Sequence, residues 1–198
     1  MTPAFPAPLI ELYYMTILYF CIILVALLFV VCSFIILVIF LNIIFLLITK
    51  VPPVSTERKY FNIIFQQIKV TPQTIIYDLG CGDGQFLIEA AKFLPQKCIG
   101  YELSPIPYFL ALFKAIFYGR GRVKIIFGNF FKADIRNADI VYVYLVPPLL
   151  SRVAQKLRQE LRSGAVVFSK GSPLPGLNHV NRIALDEWRD YWLYIYKF

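Results

Sequence analysis

The first part of this 198-residue sequence lacks charge, glycine and proline over one long run. None of these residue types occurs from Leu12 to Thr49, a run of 38 residues. As a helix at about 1.5 Å per residue it would be about 57 Å long. A bilayer core requires only about 20 residues, so the run predicts one long, tilted transmembrane helix. Ser33 and Asn42 are weak turn signals, which disfavours two short spans joined by a hairpin.

Basic residues are also missing from the start of the chain, because all 20 Lys and Arg lie at Lys50 or later. A cleaved signal peptide requires a positive n-region and an apolar core of roughly 7–15 residues, so we expect an uncleaved anchor. The positive-inside rule predicts that the C-terminal part faces the cytoplasm, or the matrix in a mitochondrial protein. Residues 1–11 are predicted to be an extended tail, 12–49 the helix, 50–54 a proline-stiffened linker and 55–198 one folded domain.

The charge that follows the helix is basic, with 20 Lys and Arg against 11 of the 12 acidic residues, a net charge of +9. Two interpretations stay open: an ordinary solvated basic surface, or attraction to an anionic leaflet. Nucleic acid is a weaker option, because no arginine-rich run or aromatic stacking motif is present. The four cysteines form no Cys-x-x-Cys pair, so neither a zinc site nor a disulfide framework is indicated, and no metal is expected.

What the chain does contain is a glycine-rich stretch at 78–84, with the sequence D-L-G-C-G-D-G. It stands between an apolar run at 74–77 and a helical pattern at 85–93, which predicts a strand, a loop and a helix. Alternate glycines let the backbone turn sharply and approach a ligand, and we expect free amides at the helix N-terminus. Glu102, at the end of the next apolar run, is suited to the two hydroxyls of a ribose.

Two cofactor classes fit a glycine loop followed by an acid. A dinucleotide fingerprint, G-x-G-x-x-G, would place its last glycine at position 85, which is Gln85. The Asp78 carboxylate fits poorly beside a pyrophosphate, whereas it can help to bind a cationic amino-acid group. With its D-x-G-x-G-x-G spacing, the sequence resembles the class I S-adenosylmethionine-dependent methyltransferases. The resemblance implies an α/β, Rossmann-like fold with a doubly wound, mostly parallel sheet.

The remaining patterns alternate between helix and strand, as such a sheet requires. They predict strands at 98–102, 122–127, 138–146 and 164–169, a closing strand pair at 182–185 and 191–198, and helices that begin at Ser55 or Thr56, at Ser104 and at Leu149. The almost continuous apolar run at 138–146 is typical of a central parallel strand covered on both faces.

The resemblance narrows when separate motifs are combined. The anchor, the P-P-V-S-T linker at 52–56, the glycine stretch, G-Y-E-L-S-P at 100–105 and an apolar strand ending in V-P-P are similar to one small family. It comprises the membrane-anchored protein-lysine methyltransferases of the mitochondrial adenine nucleotide carrier and the ATP synthase c subunit, with their prokaryotic relatives. The similarity covers most of residues 12–175. It implies methylation of a lysine on a membrane protein, close to the bilayer.

The resemblance also implies the cofactor and the residues that contact it. S-adenosylmethionine is expected to contact Asp78, Gly80, Cys81, Gly82, Gly84, Glu102, Leu103, Asn129 and Phe130. Asn129 stands where the family often has an acid that contacts the adenine. An amide can still pair with the adenine edge, although a plain turn is the alternative.

The predicted substrate contacts are Tyr144 and Pro147, beside the family's fourth motif. Some amine methyltransferases have an acid or Asn there, which grips an amino nitrogen, and Val146 replaces it in this chain. This makes a nucleobase or a glutamine amide a less suitable substrate. Tyr144 could line the methyl-transfer channel or could be only a core aromatic, and no catalytic base is identified.

Three functions therefore stay open at the level of the sequence. The first is a membrane-tethered methyltransferase that acts on a protein lysine. The second is methylation of a lipid-soluble small molecule, such as a quinone or a phospholipid head group. The third is a membrane-bound protein that binds the cofactor without turnover, which Asn129 and the missing polar group at Val146 would explain.

Overall fold

The computed structural model describes residues 7–49, 59–186, 188 and 190–198. The chain divides into two compact units, residues 1–50 and 51–198. The predicted linker at 50–54 and the predicted helix start at Ser55 or Thr56 lie outside the described residues.

In the described part of the first unit there is one helix, α1 (Ala7–Thr49), of 43 residues. It begins five residues before the predicted start, so residues 7–11, predicted as part of an extended tail, are helical. Pro8 stands in the first turn, where its missing N–H costs nothing. Glu11–Leu41 is the one stretch of the described residues that is long and apolar enough to cross a membrane, with 31 residues and a hydropathy of 3.5. Length and composition alone support that assignment.

The second unit is a seven-stranded sheet with helices on both faces. Its elements are α2 (Lys59–Gln66), β1 (Ile75–Leu79), α3 (Gln85–Ala91), β2 (Lys97–Glu102), α4 (Pro105–Tyr118), β3 (Val123–Phe127), a 3-10 turn (Phe130–Lys132), β4 (Ile140–Val143), α5 (Pro147–Glu160), β5 (Val166–Lys170), β6 (Asn181–Asp186) and β7 (Tyr191–Lys197). The strand order is β3-β2-β1-β4-β5-β7-β6. The first five strands are parallel, and β7 runs antiparallel to β5 and β6. The predicted fold class is confirmed.

The direction of winding reverses between β1 and β4, which are neighbours in the sheet. The chain runs from β1 outward to β3 and then returns to β4, on the other side of β1. One buried cluster joins α2, α3 and α4 to the sheet, and a second cluster contains the buried side chains of α5. A reversal of this kind leaves a crevice at the carboxyl ends of the strands, where ligands bind in open α/β sheets.

Strand β4 is buried at all four of its residues, as its apolar run predicts. It is shorter than the predicted strand at 138–146, because residues 144–146 leave the sheet. Pro147 and Pro148 follow at once, and proline cannot donate a hydrogen bond to the ladder. They instead occupy the first turn of α5, which therefore begins two residues before the predicted start at Leu149.

Gly100, in the middle of β2, permits close packing in the unit's core. A Cβ atom added there would lie 2.6 Å from Leu87 Cδ1 and 2.7 Å from Cys81 Sγ. Leu87 belongs to α3 and Cys81 to the glycine loop. The bare backbone of β2 therefore lets both the loop and α3 lie against the sheet.

We expect Gly100→Ala to lower the free energy of unfolding by about 1–3 kcal/mol, because an overpacked core must shift its backbone. Urea unfolding of the full chain in detergent micelles measures the change. Gly128→Ala is the matched control, since a Cβ atom at Gly128 meets nothing within 4 Å. Equal stability of the two variants would contradict close packing at Gly100.

Candidate functional site

The glycine stretch forms the turn from the carboxyl end of β1 into α3. Gly80, Gly82 and Gly84 have φ angles of +86°, +54° and +75°, a region that side chains other than glycine rarely adopt. A Cβ atom at Gly84 would lie 3.1 Å from Ala111 Cβ, whereas one at Gly82 would meet nothing within 4 Å. Gly84 thus lets α4 approach, and Gly82 is the open side of the loop.

The loop amides are held by the end of β2 rather than left free. Gly80 N and Cys81 N both donate to Tyr101 O, at 3.0 and 2.9 Å. Gly82 N donates to Glu102 Oε2 at 2.8 Å. The expectation of free amides was wrong for these three groups, because β2 runs beside the loop and supplies acceptors to it. The loop is therefore poorly suited to cradle a phosphate.

Glu102 connects three elements through one nearly buried carboxylate. Its Oε1 accepts hydrogen bonds from Leu103 N at 2.9 Å and Ser104 N at 2.7 Å, while Oε2 accepts from Gly82 N. An ionised carboxylate offers about four lone-pair sites. Three are used here, so the end of β2, the start of α4 and the loop are held together while one acceptor site remains.

Asp78 is 2% exposed and lies beside Gly100 and Tyr142 in the sheet. None of the described residues donates a side-chain hydrogen bond to its carboxylate. Burial, and then the nearby Glu102 and Asp83, raise the pKa of Asp78 well above its usual range. A buried carboxylate next to two other acids favours a cationic ligand and disfavours a pyrophosphate.

Two further contacts at the loop have no signal in the sequence. Lys114 of α4 donates to Asp83 Oδ2 at 2.6 Å and to Gln85 Oε1 at 3.1 Å. These residues are 31 and 29 positions before Lys114 in the chain, and the two contacts hold the loop against α4.

Burial, followed by the charges of Asp78 and Glu102, raises the pKa of the Cys81 thiol well above its usual range. A raised pKa disfavours the thiolate form, and the buried Cys81 side chain packs against β2 at Gly100.

The predicted adenine contacts follow β3. Asn129 Oδ1 accepts a hydrogen bond from Phe131 N at 2.9 Å and so caps the 3-10 turn, and the residue is exposed. The Phe130 ring is buried in the core cluster of α5. Gly128 N donates to Glu102 O at 2.9 Å, so the two strand ends lie side by side. The direct contacts of Asn129 and Phe130 with a cofactor stay predictions.

The predicted substrate residue Tyr144 belongs to a group of three tyrosines around a buried lysine. Lys170, at the end of β5, is 2% exposed. Its Nζ lies 4.1 Å from the Tyr144 ring centroid, 5.1 Å from that of Tyr60 and 5.3 Å from that of Tyr191. These are cation–π distances. The sequence analysis missed Lys170, because lysine is among the residues least often buried.

This tyrosine cage is connected to the glycine loop through Leu145. A Cβ atom at Gly80 would lie 2.8 Å from Leu145 Cδ2, so the residue after Tyr144 covers the loop. Pro147, the other predicted substrate residue, is exposed at the first position of α5. The structure therefore brings Tyr144 to the crevice beside β1 and leaves Pro147 at its outer rim.

A cavity of about 470 Å³ lies at the opposite end of the sheet. Thr74, Asp139 and Gly164, which precede β1, β4 and β5, are among its lining residues. Arg162 and Asp139 form an ion pair there at 2.5 Å. Because ligands of open α/β sheets bind at the carboxyl ends of the strands, this cavity is not the crevice described above.

Comparison with known proteins gives consistent matches. The family model described as the ANTKMT methyltransferase domain matches residues 78–181, a range that contains every predicted cofactor and substrate residue. The chain is 34% identical over 142 residues to a protein-lysine N-methyltransferase of Saccharolobus islandicus, which covers 71% of this chain and 88% of that protein. It is 31% identical over 127 residues to the mouse adenine nucleotide translocase lysine N-methyltransferase, which covers 64% of this chain and 55% of that protein. The chain thus spans about half of the mouse relative's length.

Among solved structures, the fold is similar to that of an RNA methyltransferase from Salinibacter ruber in complex with S-adenosyl-L-homocysteine. The TM-score is 0.66 with 25% sequence identity, and the match covers 73% of this chain and 93% of that one. The bound product of that protein belongs to the cofactor class that the acidic crevice favours.

The raised pKa of Asp78 predicts the pH dependence of stability in the ligand-free protein. Folded Asp78 keeps its proton at pH values where the unfolded residue, with a pKa of about 3.9, has lost it. The free energy of unfolding therefore falls as pH rises above that value, and Asp78→Asn removes this fall. The urea midpoint of Asp78→Asn should therefore exceed that of wild type at pH 8, and the difference should be smaller at pH 5.

The contrasting variant is Asp134→Asn. Hydrogen bonds from Arg136 lower the pKa of Asp134, so this substitution should not produce a gain at high pH. If the urea midpoints of Asp78→Asn and wild type change in parallel with pH, Asp78 does not lie in a buried environment flanked by acids.

Proposed function

We propose that this chain, which belongs to the ANTKMT methyltransferase family, is tethered to a bilayer and methylates a lysine side chain on a protein of the same membrane. The family's enzymes are protein-lysine N-methyltransferases that use S-adenosylmethionine, and this chain is one of them. Our proposal adds two points to this family membership: the chain is tethered to a membrane, and the methyl acceptor is a membrane protein. The observation that carries the proposal is an acidic ligand crevice in a chain whose other unit contains a 31-residue helical stretch that is apolar enough to cross a membrane.

The crevice residues fit the charges of S-adenosylmethionine. This cofactor carries a sulfonium, an α-ammonium group and a ribose with two hydroxyls, and when bound it supplies an activated methyl group. Asp78, which no described side chain neutralises, would hold a cationic group. Glu102 has one acceptor site left for a ribose hydroxyl. Gly82 leaves space for the ligand to approach the backbone.

The acceptor amine must reach the crevice as a neutral group, because only its lone pair can attack. Lysine has a reference pKa of about 10.4, and desolvation favours its neutral form. Bound S-adenosylmethionine would supply its methyl group to the amine nitrogen and would leave as the thioether, and the methylated amine would lose its extra proton to solvent. Alignment and exclusion of water can lower such a barrier by about 7–11 kcal/mol at best. The Tyr144 ring, which already contacts the Lys170 ammonium, supports passage of an amine at this place.

Chain topology and family support the choice of acceptor. Helix α1 has the length and composition of a membrane span, and all Lys and Arg follow it. We therefore place the enzymatic unit on the cytoplasmic side, or on the matrix side in a mitochondrion. The mouse relative is named for lysine methylation of adenine nucleotide translocase. By analogy, the acceptor here is a lysine that lies close to the bilayer surface.

The test is transfer of a labelled methyl group from S-adenosylmethionine to host membranes depleted of this protein. Wild type is compared with Gly82→Arg, which fills the open side of the loop and should abolish transfer. Gly121→Arg is the matched control and should stay active, because Gly121 also has a positive φ, +69°, and open space around it. Label recovered as methyllysine in a membrane-protein band supports the proposal.

The other outcomes contradict it in different ways. Label in the lipid extract would assign the enzyme to a small lipid-soluble acceptor. Cofactor binding without transfer above the Gly82→Arg level would indicate a binding protein without turnover. Methyllysine only in soluble proteins would keep the chemistry and overturn the membrane-protein acceptor.

A second prediction concerns the cofactor alone. Glu102→Gln should weaken binding of S-adenosylhomocysteine about tenfold or more, because hydrogen bonds to a charged acceptor contribute about 1.5–3 kcal/mol. Isothermal titration calorimetry measures the change. Glu160→Gln is the control, since Glu160 also accepts from a backbone amide, Ile135 N, and from a side chain, Lys156, away from the crevice. Equal affinities would exclude Glu102 from the cofactor site.

A further inference from the structure

Helices α4 and α5 are a matched pair within one molecule. Each has 14 residues and begins with a proline. In each, the exposed side chains include those at the fifth, sixth, ninth, twelfth and thirteenth positions. The chemistry of the two outer faces can therefore be compared position by position.

The two outer faces have opposite chemistry. On α5 these five positions are Ser151, Arg152, Gln155, Arg158 and Gln159. On α4 they are Phe109, Leu110, Phe113, Ile116 and Phe117, each more than half exposed. A helix at a water-facing surface normally carries polar residues on this side. Single exposed apolar residues are ordinary, but a contiguous group on one face marks an interaction surface.

The inner side of α4 does not require these large side chains. Its buried residues are the small Ala111 and Ala115, so the helix lies close to the sheet and turns its bulk outward. Strand β3 extends the apolar surface at Phe127, which is also more than half exposed and whose ring centroid lies 5.1 Å from that of Tyr108. We call the five outer residues of α4 the α4 face.

We propose that the α4 face binds the interfacial region of an anionic bilayer, the one that α1 spans. This inference rests on the tether of the proposed function, because nine residues, 50–58, separate the last residue of α1 from the first of α2. At about 3.3–3.6 Å per residue, a connection of nine residues can reach no more than about 30 Å. A soluble partner would have to displace lipid that is already at high local concentration.

The charge of the unit agrees with this occupant. Residues 50–198 have a net charge of +9, and the exposed Arg120 stands just beyond the end of α4. An anionic leaflet attracts basic residues near its surface. A face of Phe, Leu and Ile beside cationic residues is the composition of helices that lie in the membrane interface. A second copy of the chain would instead bring two equally basic units together.

Docking by the α4 face bears on the acceptor lysine. Helix α4 begins three residues after Glu102, so its first turn adjoins the crevice. A bilayer bound along α4 would bring that side of the unit to the headgroup level. The enzyme would then select lysines at the membrane surface by its position as well as by the shape of its site.

The experiment uses the full chain in nanodiscs of phosphatidylcholine and phosphatidylglycerol. A single environment-sensitive fluorophore is attached after Phe117→Cys, with Cys21→Ser and Cys32→Ser, while Cys81 and Cys98 are buried. The matched control carries the label after Gln159→Cys, at the same helix position of α5. We expect the emission of the label at position 117 to be shifted to the blue, quenched by lipid with a doxyl group and protected from iodide. At position 159 the label should show no blue shift, no quenching by doxyl lipid and no protection from iodide.

A second set of variants tests whether the apolar side chains cause this docking. Phe109→Ser and Phe113→Gln give α4 the residues of α5 at the fifth and ninth positions. Each loses burial of an aromatic side chain, so each should lower the ratio of docked to undocked label at position 117 about tenfold. Far-UV circular dichroism monitors the fold, which surface substitutions should leave intact.

Three results would overturn the proposal. A label at position 117 that iodide reaches as readily as at position 159 would show that lipid does not cover the face. The label could instead be protected from iodide without being quenched by doxyl lipid. If that protection is lost when each nanodisc holds one chain, the α4 face binds a second copy. Failure of the full chain to enter nanodiscs would overturn the tether as well. Methyl transfer is not measured, so an acceptor other than membrane protein would leave a positive result standing.

Discussion

The site depends on the hydrogen bonds that the carboxylate of Glu102 accepts. The carboxylate takes the amide of Gly82 from the loop and the amides of Leu103 and Ser104 from the start of α4. A hydrogen bond to a charged acceptor contributes about 1.5–3 kcal/mol, so these contacts hold the loop and the start of α4 to the end of β2. The loop can be held this way only because Gly100 lets it lie against β2. A tight fold and a ligand crevice are therefore consequences of the same contacts.

The charge of the crevice decides between ligands that glycine spacing alone leaves open. A glycine loop at the start of a helix suggests a phosphate site, and a phosphate needs free amides and positive charge. Here the amides of Gly80 and Cys81 are bound to β2. Among the described residues, the one lysine that contacts the loop, Lys114, neutralises Asp83 instead of facing Asp78. The remaining negative charge suits a sulfonium and an ammonium, and this agreement is independent of the family match.

The sequence predicts most of the fold and fewer of the contacts at the site. Local patterns suffice for the strands and for the glycine turn, because side-chain periodicity and positive φ angles are local properties. The contacts of Lys114 with Asp83 and of Lys170 with Tyr60 are missed, since each joins residues far apart in the chain. The start of α1 is misplaced for a different reason. Proline signals an extended tail in sequence, yet in a first helical turn it is harmless, and Pro8 stands in such a turn.

The comparison of α4 with α5 shows what a sequence pattern leaves undecided. Both helices place small or apolar side chains toward the sheet, so periodicity predicts both correctly. Only the exposure of Phe113 and Phe117, against Gln155 and Gln159 on α5, reveals that α4 is apolar on both sides. A contiguous apolar outer face marks an interaction surface. For a chain whose other unit is an apolar helix long enough to cross a membrane, the proposed partner of that surface is the bilayer. The acceptor lysine would then be selected by its depth in the membrane, without specific recognition of the acceptor's sequence.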